Sequence, residues 1–166
     1  MKKNARLQTW MDEWDSDPGA VLPREYRAFL FLFNGRQYYE AHDVLEALWL
    51  PCRDENRSFY QGLIQLAGAF VHFDKHARFP EHPVHMRRLA PGCRLLDLAA
   101  ARLGRFGPLH MRLDLLDVLG ICELWKTRAQ QGDSPLRIHA PPKLQLELES
   151  AAPLEPTDLQ IRIESV

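Results

Sequence analysis

The chain lacks most of what would mark a disulfide, thiolate-metal or membrane protein. Only three of its 166 residues are cysteine, Cys52, Cys93 and Cys122, and no two form a Cys-x-x-Cys pair. An odd, scattered set argues against a disulfide framework and a thiolate zinc site, and fits small buried hydrophobes in a reducing compartment. Long apolar runs are also missing. The longest charge-free apolar run, residues 59–73, is shorter than a membrane span and contains Gln61, Gln65 and His72. Met1-Lys2-Lys3-Asn4 is basic, but Asp12, Glu13, Asp15 and Asp17 follow where a secretory signal would be apolar. Neither charge sign dominates: 21 Lys and Arg face 22 Asp and Glu, for a net charge of -1. That leaves no basic footprint for nucleic acid or an anionic membrane. There is no Gly-rich phosphate loop, and none of Ser16, Ser58, Ser134, Ser150 and Ser165 sits in a nucleophile elbow. These absences lead us to expect a cytoplasmic protein with neither membrane nor nucleic acid as partner.

What is present is ordinary globular material, 46% hydrophobic and 26% charged, in a chain long enough for one real core. Helical periodicity covers residues 24–33, 37–49, 54–78, 84–103 and 114–130, with a further short helix over 4–14. The stop signals are Asn34-Gly35, Pro51, the 79–83 stretch and Gly132. Pro91-Gly92 is expected to kink or split the helix over 84–103, and Asp114 is expected to cap the one that follows. Beyond Gly132 the prolines Pro135, Pro141, Pro142, Pro153 and Pro156 forbid long helices, while residues 144–149 and 161–164 alternate with period two. The fold class is therefore all-α: a compact bundle of about five to six helices over residues 1–132, then an extended Pro-rich tail over 133–166 that is no independent domain. The tail is either a short β-hairpin or an extended segment lying over the helices.

The sharpest chemical signal lies in residues 37–49. On a wheel of about 100° per residue, Tyr38, Ala41, Leu45, Leu48 and Trp49 form an apolar face. His42 falls inside that face and Glu46 at its edge, while Glu40, Asp43 and Ala47 point to solvent. His42 and Glu46 are thus i,i+4 neighbours aimed inward, where a carboxylate needs partners. In the next helix Gln61, Gln65, Gly68 and His72 make a polar stripe without lysine or glutamate, and Gly62 and Gly68 permit close helix approach. We expect a polar network of His42, Glu46, Gln61, Gln65 and His72, either a satisfied core or the lining of a cleft.

A second cluster, His72, His76, His82 and His85, offers imidazoles but no glutamate in metallopeptidase spacing, and His42-x-x-x-Glu46 is not the Glu-x-x-His unit of di-iron bundles. No metal, cofactor or catalytic residue is assigned on these grounds. Cys52 lies near Arg53 and Arg57 without an identified base. The helix over residues 115–125 is apolar almost all round, so it is either central or covered by a partner, and a homodimer through it or the tail is a candidate assembly.

The stretch Phe33-Asn34-Gly35-Arg36-Gln37-Tyr38-Tyr39-Glu40-Ala41-His42-Asp43-Val44-Leu45-Glu46-Ala47-Leu48-Trp49 is similar to the signature of the domain of unknown function 309 family. Phe59-Tyr60-Gln61-Gly62-Leu63-Ile64-Gln65-Leu66-Ala67 resembles its second motif, and His72 falls where that family's helix tends to carry a histidine. The resemblance covers residues 29–73, and more weakly the chain onward to 130. It implies a small all-α bundle of prokaryotes or plastids, and no established activity. The fingerprint residues it implies are Asn34, Tyr39, His42, Glu46, Trp49, Gln61, Gly62 and Gln65. Residues 74–91, long and rich in His and Pro, and the tail after Gly132 depart from that pattern. The leading functional reading is a binding or interaction module for an unknown small molecule or protein. The alternative is a hydrolase-like or metal-dependent enzyme using His42 and Glu46.

Overall fold

The computed structural model describes residues 22–132 and 134–147. Among these, six α-helices appear: α1 (Arg24–Asn34), α2 (Tyr38–Trp49), α3 (Asn56–Arg78), α4 (Leu89–Leu103), α5 (Leu115–Gln130) and the single turn α6 (Pro135–Ile138). A 3-10 turn, His85–Arg87, precedes α4, and a two-stranded hairpin, β1 (Leu109–His110) with β2 (Leu113–Asp114), precedes α5. The architecture is the all-α bundle expected. The expected helix over 4–14 and the 161–164 alternation lie outside the described residues.

The chain leaves α1 through a tight C-terminal turn. Gln37 N–H donates back to the Leu32 carbonyl at 2.8 Å and Arg36 N–H to that of Phe33 at 3.0 Å. This paired pattern requires a left-handed residue, and it falls on Arg36 (φ 61°) rather than on Asn34 or Gly35. The Asn34 side chain is used elsewhere: its amide donates to the Leu144 carbonyl at 2.8 Å and its carbonyl accepts from Leu144 N–H at 2.7 Å. Two bonds therefore clasp the returning tail onto α1. Leu146 bridges Leu113 in antiparallel register and Glu147 N–H donates to the Arg112 carbonyl. Over residues 144–147 the tail is thus extended along the helices and β2.

α3 is the central element. Its Phe59, Leu63, Leu66, Phe70 and Phe73 have no exposed surface. Burying one such side chain contributes about 2 kcal/mol. Rings interlock around it: Phe70 meets Phe33, Tyr38 and Trp125 at centroid distances of 5.2, 5.2 and 5.0 Å. α2 runs antiparallel along one side of α3, with Tyr38 beside Phe70 at one end and Trp49 beside Arg57 at the other. That second end is fastened by Arg57, whose Nη1 donates to the Trp49 and Cys52 carbonyls while its guanidinium lies 4.4 Å over the Trp49 ring.

α4 packs on the other side of α3, and glycine sets the spacing. A Cβ on Gly62 would stand 2.8 Å from Leu103 Cγ, and one on Gly92 2.5 Å from Phe73 Cε1. The helix expected from residue 84 begins instead at Leu89. Pro91 then lies in the first turn, where its missing N–H costs no intrahelical bond, and no kink is needed. Asp114 caps α5 as expected, its Oδ1 accepting from Leu116 and Asp117 N–H at 2.8 and 3.1 Å. α5 is not central throughout: Leu115, Val118, Ile121, Cys122 and Trp125 are buried, whereas Leu116 and Leu124 are exposed.

Candidate functional site

The residues expected to form one network are divided between two helix interfaces. The stripe of Gln61, Gln65, Gly68 and His72 turns toward α4, not toward His42. Gln65 Oε1 accepts from Arg102 Nε at 3.1 Å, His72 Nδ1 lies 3.4 Å from Arg88 Nη1, and Gly68 faces Leu95. Burial, reinforced by the charge of Arg88, holds His72 below the usual histidine range. Gln61 is half-buried. Among the described residues no hydrogen bond joins His42 or Glu46 to Gln61, Gln65 or His72. Asn34 serves the tail clasp, and Trp49 the clasp with Arg57 at the end of α2.

His42 finds its partner on its own helix. Its Nδ1 lies 3.3 Å from Asp43 Oδ1, and its side chain is one-third exposed. Asp43 had been placed toward solvent. It is exposed, yet its short side chain folds back to the imidazole. Glu46, half-buried one turn on, completes a set in which His42, Asp43 and Glu46 each offer a ligand atom within 4.8 Å of the others. Among the described residues this is the group of that kind, and His72, His76, His82 and His85 are not gathered into one. Instead His82 and His85 place their rings 4.3 Å apart, and burial lowers the pKa of His76.

The start of α2 holds a feature that the sequence did not single out. A cavity of about 420 Å³ is lined by Arg36, Gln37, Tyr38, Tyr39 and Glu40 from one segment and by Val71, Asp74, Lys75 and Arg78 from the last turns of α3. The first-turn N–H groups of Tyr38, Tyr39 and Glu40 have no intrahelical acceptor, because α2 begins there. Gln37, the residue before it, supplies no side-chain cap. The residues at the positive end of the helix therefore line the cavity. Three cations face two carboxylates across it. Asp74 is taken by Arg78 at 2.9 Å, while Arg36 and Lys75 have no ion pair among the described residues. Tyr38 is 3% exposed, and its buried hydroxyl has no hydrogen-bond partner. Burial pushes its pKa up to about 12, with Arg36 opposing and Asp74 adding, so the phenol is a proton donor at neutral pH. Tyr39, half exposed, lines the same cavity.

Such a site is recognisable in sequence only by what is missing: a helix start preceded by Gln rather than Ser, Thr, Asp or Asn. Its remaining members come from a segment about 35 residues away, brought in by the antiparallel packing of α2 on α3.

Among the described residues no helix is long and apolar enough to cross a membrane. Comparison with curated proteins and with solved structures gives no match. Residues 26–78 do match a family profile, and they span α1 to α3, hence both the His42 cluster and the cavity. That profile is the one of the DUF309 family, a domain of unknown function, and the match spans less than half of the chain.

Proposed function

We propose that this domain is a binding module whose ligand is a small anionic molecule, with one phosphate or carboxylate group seated at the start of α2. The observation that carries the reading is the cavity there. An uncapped helix N-terminus and the cations Arg36 and Lys75, which have no ion pair among the described residues, meet at one space of about 420 Å³. Backbone amides at a helix start bind oxyanions by hydrogen bonds and by the helix dipole together. Arg36 and Lys75 add charge. Ligand-binding cavities are commonly of this size, with a few polar groups fixing orientation. Arg36 supports the reading independently. It holds a left-handed conformation (φ 61°) that costs an L-residue roughly 1 kcal/mol, whereas glycine would take it freely.

The test is calorimetric titration of the full chain with inorganic phosphate, compared with Arg36→Gln and Lys75→Gln. Saturable 1:1 binding that weakens roughly tenfold in each variant supports the reading, since a charge-assisted contact contributes about 1.5–3 kcal/mol. Phosphate binding that is absent, or equal in all three proteins, contradicts it.

A further inference from the structure

We infer that His42, Asp43 and Glu46 form a divalent-cation site on the exposed side of α2, separate from the cavity at the start of that helix. Spacing comes first. Positions 42, 43 and 46 lie within about 100° of arc on one helix, so all three side chains reach the same point beside it. Their ligand atoms are already within 4.8 Å of one another, and His42 Nδ1 and Asp43 Oδ1 stand 3.3 Å apart. A cation bound at about 2.1 Å from each donor needs donors roughly 3.0–3.4 Å apart. The first pair already meets this, and a side-chain rotation brings Glu46 in.

Donor chemistry then selects the ion. One imidazole and two carboxylates suit a first-row divalent cation such as Zn²⁺ and carry no thiolate preference. Three protein donors leave a position open to water or ligand, the pattern of a working rather than a purely structural site. The surroundings agree. His42 is one-third exposed, enough for an ion to enter, and Glu46 is half-buried. No lysine or arginine engages Asp43 or Glu46 among the described residues, so the carboxylates are not committed to another cation. The sequence pattern alone missed the set because it counted Asp43 as a solvated residue on the opposite face.

Metal-stripped full-length protein titrated with Zn²⁺ by calorimetry tests the site. We expect one equivalent to bind saturably, and affinity to fall tenfold or more in His42→Ala and in the milder Glu46→Gln. Circular dichroism checks that both variants remain folded, and Asp43→Asn provides a third variant on an exposed residue. His82→Ala is the control, because the His82 and His85 rings, 4.3 Å apart, are a surface pair able to take zinc adventitiously. Loss of binding in His82→Ala with none in His42→Ala overturns the inference, as does a failure to bind at all. Phosphate binding in zinc-free protein is a separate readout, so failure here leaves the anion reading standing.

Discussion

At the scale of the residue, the molecule keeps polar groups where packing alone would place none. Tyr38 is packed among Phe33 and Phe70 at 5.2 Å, yet it carries a hydroxyl with no partner. An orphaned buried donor costs about 1–3 kcal/mol. Tyr38→Phe should therefore stabilise the protein by about 1 kcal/mol in urea unfolding. A destabilised Tyr38→Phe would show that the hydroxyl has a structural partner. His42 makes the complementary point. Helical spacing correctly identified the residue as worth attention and its neighbour Glu46 as within reach. The wheel placed Asp43 in solvent, where it is, but aimed His42 inward, whereas its side chain is one-third exposed and turned to Asp43, because a wheel assigns directions to Cβ atoms and ignores how far a side chain can fold along the helix.

At the scale of the element, what was legible is what local chemistry decides. α1 and α2 end near Asn34-Gly35 and Pro51 as read, and α5 starts at Asp114 as read. The β1–β2 hairpin was invisible. Its two-residue turn is Met111-Arg112, both at positive φ (46° and 63°), where sequence signals would call for Asn or Gly. The Gln61, Gln65 and His72 stripe was legible as a buried polar surface, but not which helix it meets. α2 and α4 both flank α3, and only the close approach allowed by Gly62 and Gly92 settles that α4 takes the stripe. Glycine substitutions separate the two kinds of position. Gly92→Ala drives a Cβ to 2.5 Å from a fully buried Phe73 ring and should cost about 2 kcal/mol despite the better helix propensity of alanine. Gly120→Ala, on the exposed side of α5 with nothing within 4 Å, should gain about 1 kcal/mol. Thermal unfolding of both variants checks the contrast, and equal shifts would contradict the packing described for α3 and α4.

At the scale of the whole molecule, the histidines give the domain an acid sensitivity. Burial is the main cause that holds His72, His76 and His110 below the ordinary histidine pKa of 6.5. Each is neutral in the folded chain where the unfolded chain would take a proton. Their contribution is complete above pH 6.5 and is lost as pH falls below it, because the unfolded state then binds protons first. The urea midpoint should accordingly be lower at pH 5.5 than at pH 7.5, and a midpoint unchanged or rising toward acid would contradict the placement of these rings. The bundle's two candidate sites share one helix of 12 residues, α2, with the cavity at its first turn and the cation ligands on its second and third. Both depend on α3: its last turns supply Asp74, Lys75 and Arg78, and its first turns hold the far end of α2 through Arg57. The cavity was not legible because it belongs to neither helix alone.

The central claim is that an anion sits on the uncapped amides at the start of α2. The most direct measurement is a ¹H–¹⁵N spectrum of the labelled protein recorded through a titration with inorganic phosphate. The account predicts saturable shifts largest at the backbone amides of Tyr38, Tyr39 and Glu40, with the midpoint moved to roughly tenfold higher phosphate in Arg36→Gln. Shifts scattered over the surface, or confined to His82 and His85, would contradict it.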